Sequence, residues 1–423
     1  MIAPQDEMGM EWGTIKFVTT QTYPSSAPSK DTAMTPTERR ASASLASIFA
    51  LRMLGLFLVL PVFALEARKY PGGDDPALIG LAMGIYGLTQ GILQIPYGLA
   101  SDKWGRKRVI VLGLLIFAAG SLLAGFADSL MGLLAGRALQ GAGAISAAVT
   151  ALLADLTRDA VRTKAMALVG ASIGLMFALT LVLSPLLASF VGLSGLFLIT
   201  AALAVLGVGV VIWWVPPEPV LHTDAQRGGL LSVLKNPALM RLNLGVFVLH
   251  AVQLAMWVAI PAFLVNAGLG KDQHWQIYLP AVLGSFVLLG GLFALERRGY
   301  LRAVFLSAIG LIALVQLALL WLTSGAPSIA QIGWVLFAFF CGFNVLEATQ
   351  PSLVSRLAPA NSRGAAMGVY NTLQSLGFFA GGWMGGRVVK SFGSQGLFLT
   401  CAALMALWLL VAWPMSAPSR QTS

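Results

Sequence analysis

Twelve apolar runs, each about 20 residues or longer, follow one another along this chain with short polar gaps between them. A run of that length crosses a hydrocarbon core of ~30 Å as an α-helix. The runs lie at 44–66, 76–100, 108–127, 129–154, 164–190, 195–215, 241–267, 274–295, 301–323, 328–355, 364–388 and 394–414. Charged residues make up only 10% of the chain, against roughly 25% in a soluble domain. The fold class this implies is an all-α integral membrane protein of twelve transmembrane helices, with the lipid bilayer as its first partner.

The formal net charge of +10 is not gathered on one face. The odd-numbered gaps hold Arg68, Lys69, Lys271, Arg387 and Lys390, whereas basic clusters fill the even-numbered gaps at 103–108, 158–164, 227–241, 297–302 and 356–363. Under the positive-inside rule the even gaps and both termini are cytoplasmic, and miscounting by one helix would destroy the alternation. The same scatter argues against a nucleic-acid partner. Cys341 and Cys401 sit inside apolar runs without metal-ligand spacing, so no metal is expected. No sequence that would bind a cofactor or ATP is evident, which leaves a gradient, or the substrate itself, as the energy source.

Residues 1–43 are polar, contain Pro24, Pro28 and Pro36, and end in Arg39 and Arg40. They read as a disordered cytoplasmic tail, or in part as sequence upstream of a later start, and lack the order of a cleaved signal peptide. The stretch 216–240, with Pro216, Pro217, Pro219, Gly228 and Gly229, reads as a cytoplasmic linker between an N-terminal half (44–215) and a C-terminal half (241–415); residues 416–423 form a short cytoplasmic tail. The halves repeat. Leu58 to Phe63 resembles Val258 to Phe263, Arg162 to Ala167 resembles Arg363 to Gly368, and Asp102, Gly105 and Arg108 find a weaker echo in Glu296, Gly299 and Arg302. An offset near 200 residues, recurring in order, implies a six-helix unit duplicated in parallel orientation.

The loop Gly98-Leu99-Ala100-Ser101-Asp102-Lys103-Trp104-Gly105-Arg106-Lys107-Arg108 resembles motif A of the major facilitator superfamily, and Arg137 to Ala144 resembles its motif B. Leu54 to Pro61 is similar to the first-helix motif of the twelve-helix drug:proton antiporters in that family. The fifth-helix antiporter motif is degraded: Pro185 remains in Thr180 to Ser189, but its glycines are replaced by other residues. One bacterial inner-membrane branch carries a soluble C-terminal domain, which this chain is expected to lack because it ends soon after the last run. The resemblance implies alternating-access transport of a small molecule across the cytoplasmic (inner) membrane by a monomer, with efflux driven by a proton gradient. An uncoupled or proton-symport metabolite carrier is the first alternative. A membrane enzyme or non-transporting sensor is remote, since His222, His250 and His274 are scattered.

The resemblance also implies a latch in which Asp102 faces the start of the eleventh helix near Gly364, whose free amides favour an anion. In it Gly98 allows close approach, Gly105 makes the turn, Lys107 adds charge, and Arg106 pairs with Asp155. The bland reading of Asp102 is a solvated loop acid.

Three charges fall about 8–9 residues from a helix end, or ~12–13 Å deep at 1.5 Å per residue: Arg52, Arg137 and Glu347. A charge at depth costs at least ~2.5–3.5 kcal/mol, so each should face the bundle interior or a wet cavity. Arg137 reads either as motif B's proton-coupling arginine or as a structural arginine on helix carbonyls. Glu347 reads either as a proton carrier or as a carboxylate paired to Arg52 or reached by cytoplasmic water, and Arg52 equally as its structural partner or as a substrate ligand. His250 reads as a packing residue. Candidates for the substrate cavity are Tyr86, Gln90 and Gln94; Gln253 and Trp257; Asn344; and Tyr370, Asn371 and Gln374. The competing reading for each is interhelical hydrogen bonding.

Overall fold

The computed structural model describes residues 33–218, 230–359 and 362–415, and these are helical throughout their regular segments. The elements are α1 (Pro36–Glu66), α2 (Pro76–Trp104), α3 (Arg106–Gly125), α4 (Leu130–Ala142), α5 (Ser146–Asp155), α6 (Asp159–Gly209), α7 (Leu230–Leu234), α8 (Pro237–Asn266), α9 (Trp275–Leu295), α10 (Leu301–Leu322), α11 (Ile329–Leu357) and α12 (Arg363–Ala412). Among the described residues nine helical segments are long and apolar enough to cross a membrane. Two of the helices, α6 and α12, run to 51 and 50 residues. Straight, each would measure on the order of 75 Å, more than twice a bilayer core.

Neither is straight. Gly192 in α6 and Gly393 in α12 both sit at φ 66°, in the left-handed region open to glycine. The contacts show that the chain doubles back there. Arg158, just before α6, bonds Glu38 at the start of α1, and Arg40 bonds the carbonyls of Trp213 and Trp214 just beyond its end. Both ends of α6 therefore lie beside the first turns of α1. In α12 the first arm lays Gly377 and Gly381 on Phe247 and Ala251 of α8, and the return arm brings Trp408 back to Gly245.

Positive-φ glycines fall into pairs roughly 200 residues apart: Gly72 with Gly268, Gly105 with Gly299, and Gly192 with Gly393. The paired φ values differ by 3° or less. The weak sequence echo between Gly105 and Gly299 is thus a conserved backbone turn, and the duplication is visible in the chain's corners.

Three boundaries differ from expectation. Residues 36–43 belong to α1 and not to a tail, because Thr35 and Glu38 form a capping box around Pro36 and Glu38 is then held by Arg158. The C-terminal half begins at Pro237, with Asn236 as N-cap, and α7 precedes it inside the expected linker. The run 129–154 is two helices, α4 and α5, with an irregular turn at 143–145. Residues 1–32, 219–229 and 416–423 of the expected tails and linker lie outside the described residues.

The halves meet most tightly along α2 and the first arm of α12. A β-carbon on Gly80 would stand 2.2 Å from the carbonyl oxygen of Gly382, and one on Gly386 would stand 2.3 Å from that of Pro76. No larger side chain fits there without parting the helices. Toward the other end of this arm, a β-carbon on Gly364 or Gly368 would meet nothing within 4 Å. The molecule is closed on the face bearing Asp75 and open beside the start of α12.

Candidate functional site

The loop between α2 and α3 turns at Gly105, φ 96°, and its charges are drawn into one cluster. Arg106 pairs with Asp102 one turn back, with Asp155 at the end of α5 (3.1 Å), and with the Ser101 hydroxyl (2.7 Å). Gly98 stands 3.6 Å, measured from where its β-carbon would be, from the side chain of Ala147. Lys107 donates to the Val215 carbonyl at 2.8 Å. Glu218 was not singled out in the sequence, yet its carboxylate accepts from the backbone amides of Arg106 and Lys107 at 2.9 and 2.6 Å. A carboxylate there satisfies unpaired donors at the helix start and lies at the positive end of the helix dipole. Its position inside a proline-rich stretch hid it. Gly364, the residue expected opposite Asp102, faces open space in this conformation.

In the N-terminal half, Arg52 of α1 is 1% exposed and its amino groups are committed. They donate to Tyr86 Oη (2.7 Å), Ser146 Oγ (3.0 Å) and the Gly143 carbonyl (3.3 Å), which the break between α4 and α5 leaves available. Arg137 is equally buried. It donates to the carbonyls of Ala82 and Met83 and to Gln140 Oε1, with its guanidinium 5.1 Å from the Tyr86 ring centre. Gln140 passes the chain on to Ser121 at 2.7 Å. Two arginines thus brace α1, α2, α4 and α5 around Tyr86.

Glu347 is not the partner of Arg52, because Arg52 is spent on its own half. Glu347 belongs to a second node in the C-terminal half. His250 Nε2 of α8 stands 3.3 Å from Glu347 Oε2, and Gln374 Nε2 of α12 stands 2.8 Å from the same imidazole nitrogen and 3.3 Å from Glu347 Oε1. His250 Nδ1 lies 2.9 Å from the Val246 carbonyl, which can only accept, so Nδ1 carries a hydrogen and Nε2 faces the carboxylate. His250 is therefore more than a packing residue, although the rings of Phe343 and Phe378 do pack on it. It is 2% exposed, while the Glu347 side chain is 39% exposed and its Oε2 has no hydrogen-bond donor. The node is sealed on the imidazole side and open on the carboxylate side.

The cavity candidates divide. Asn371 and Gln90 are half-buried, and Asn344 donates to Ser285 at 2.7 Å. Tyr370 is buried, and its hydroxyl is unpaired and within electrostatic reach of Glu347. In this conformation Tyr86 accepts from Arg52, and Trp257 is buried against Tyr278 beside an apolar cavity of about 10 Å³. Gln94 and Gln253 are also buried; neither amide oxygen has a donor, nor does the Gln94 nitrogen have an acceptor.

The family model of the Major Facilitator Superfamily matches residues 45–382 and again 295–422. The inner membrane transport protein YajR of Escherichia coli (strain K12) is 44% identical over 393 residues, covering 92% of this chain and 86% of the relative. The multidrug resistance protein MdtH of Aeromonas hydrophila is 26% identical, covering 80% of this chain and 85% of the relative. Among solved structures, the nucleoside transporter NupG superposes with a TM-score of 0.71 at 14% identity, covering 89% of this chain and all of that one. The human organic anion transporter MFSD10 gives 0.67 at 19% identity, with the same coverage. At such identities the structures speak for the fold alone, but the family match spans nearly all of the helical chain. Duplicated halves, the charged turn after α2 and the relatives all converge: the chain belongs to the major facilitator superfamily of membrane transporters.

Proposed function

We propose that this chain is a proton-driven exporter that moves a small molecule out across the inner membrane, with His250 and Glu347 as the proton site. Twelve crossings, both termini in the cytoplasm and action as a monomer complete the reading. The doubled-back α6 and α12 support that count, and the basic clusters beside Arg106 and Arg158 support the orientation. The inner membrane and the export direction follow the names of YajR and MdtH.

The observation that carries the proposal is the half-open node. An intramembrane carboxylate whose side chain is 39% exposed while its buried Oε2 has no hydrogen-bond donor, with a sealed imidazole behind it, can take a proton from one side and hand charge to a neighbour. With the imidazole neutral, Nε2 accepts from Gln374. A proton on Nε2 turns it into a donor toward Glu347, and the Gln374 amide must then rotate. Because Gln374 lies on α12, the charge state of the node acts on a helix that also packs against α2 of the other half.

The test uses purified protein in liposomes with an imposed pH gradient and a substrate taken from a ligand-stabilisation screen. Gradient-driven accumulation should be present in the parent and absent in Glu347→Gln, with binding retained. Accumulation that ignores the gradient would leave an uncoupled carrier, and unchanged driven transport in the variant would remove Glu347 from the mechanism.

A further inference from the structure

The face bearing Asp75 is closed by two ion pairs that cross between the halves, and the sequence had used their lysines only as markers of topology. Glu66, at the end of α1 and 3% exposed, is held by Lys69 of its own half at 2.7 Å and by Lys271 of the other half at 2.5 Å. Asp75 accepts from the Ala77 amide through Oδ1 (2.8 Å), as N-cap of α2, and from Lys390 of α12 through Oδ2 (2.8 Å). The two pairs share one design. In each, the acid sits in the N-terminal half with a resident donor from that half, and the lysine that crosses over comes from the C-terminal half.

This matters because the two halves must part on this face for the cycle to proceed. A buried carboxylate stripped of its only counter-charge is costly, since desolvation is no longer offset. Glu66 is never stripped: when Lys271 leaves, Lys69 remains. Lys69 and Lys271 both keep part of their side chains in solvent, so the departing ammonium is rehydrated at once. Lys390, more than half exposed, is placed alike. The glycine contacts between Gly80 and Gly386 lie directly beneath Asp75 and Lys390, so the charges and the close helix packing break together.

We infer that Lys271 and Lys390 are the detachable bolts of an outer lock that holds the closed face shut, and that Lys69 is a resident counter-ion that limits the cost of opening it. The lock opposes the cluster around Arg106 on the other face, and its outward placement rests on the orientation proposed above. Its existence does not depend on proton coupling.

The two lysine roles have opposite signatures. Spin labels on Asp74→Cys and Gln273→Cys, in a background with Cys341 and Cys401 replaced by serine, report the gap between the halves by double electron–electron resonance. Lys271→Met and Lys390→Met should each raise the ratio of long to short distances about fivefold, the effect of a modest coupling between two states. Lys271→Arg should restore the parent distribution. Lys69→Met should do the reverse and deepen the short-distance population, because Glu66 then depends on Lys271 alone. Unchanged distances in both bolt variants would overturn the lock, and a longer distance in Lys69→Met would overturn the resident role. The lysine and label sites are at solvated side chains, Cys341 and Cys401 are buried, and a monodisperse elution profile of the cysteine-free background and of each variant confirms that they fold. These distances are read without substrate or pH gradient, so failure of the exporter reading leaves the result standing.

Discussion

The two halves hold one charged node each among the apolar helices, and the nodes differ in burial and in what holds them. Around Arg52 in the N-terminal half, both amino groups are bonded, exposure is 1%, and three helices are tied together. Around Glu347 in the C-terminal half, one oxygen is unpaired and the side chain is 39% exposed. Descent from one duplicated unit does not oblige the halves to share a task. The Arg52 amino groups tie helices together and serve as a brace, although its buried Nε has no acceptor; a partly exposed carboxylate with one oxygen unpaired can change state without dismantling its surroundings. On the proposed reading the N-terminal half is the frame and the C-terminal half holds the proton site.

The sharpest way to break this comparison is to neutralise each node in turn. Glu347→Gln should reduce gradient-driven transport by about 100-fold or more, starting at the lower end of what removal of a proton-transfer group costs, with thermal stability near that of the parent. Arg52→Met should do the opposite. It leaves Tyr86, Ser146 and Gly143 without their donor, so a loss of about 3 kcal/mol is expected, read as a lower melting temperature, while whatever protein folds keeps the parent pH profile. If Arg52→Met moved the pH profile instead, frame and titrating part would have been assigned the wrong way round.

A smaller effect is expected from His250→Asn, which keeps a polar group near Gln374 but cannot carry a proton. Driven transport should fall about 10-fold, less than the roughly 100-fold or more that loss of the proton-transfer group itself costs, and its pH midpoint should move. A pH midpoint unchanged by the substitution would reduce His250 to packing.

The smallest expected response is that of the outer ion pairs to pH. Lys390 beside Asp75 holds that carboxyl below the usual carboxylate range, so its contribution to closure is complete above the free-acid pKa and is lost only as pH falls through the depressed value. The bond to Glu66 raises Lys271, so that contribution is complete below the free-amine pKa and fades as pH rises through the raised value. Between about pH 5 and 9 neither group titrates. The distance distribution across the closed face should therefore stay flat over that window while transport rate varies. A distance that tracked the transport profile would place proton sensing on the outer face and not at Glu347.

Much of this arrangement was legible in the chain. The alternation of basic gaps and the Gly105–Gly299 echo come from local or repeated patterns, which survive without knowledge of the packing, and the Arg106–Asp155 pair came from the family resemblance. What stayed hidden was contact between residues distant in sequence. His250 meets Glu347 across 97 positions, and a lone histidine in an apolar run carries no local sign of its partner. Glu66 looked like an ordinary helix end until Lys271 arrived from the other half. The start of α1 is a different case. Thr35-Pro36-Thr37-Glu38 is a capping-box pattern in plain view, outweighed by the polar, proline-bearing composition around it.

The central claim is that Glu347 changes protonation while Arg52 stays fixed. The direct measurement is a pH-titrated infrared difference spectrum of the purified protein in lipid, recorded for the parent, Glu347→Gln and Arg52→Met. A carboxylic-acid band should titrate in the parent and in Arg52→Met and be missing from Glu347→Gln. A band that persists in Glu347→Gln, or that disappears only with Arg52, would contradict it.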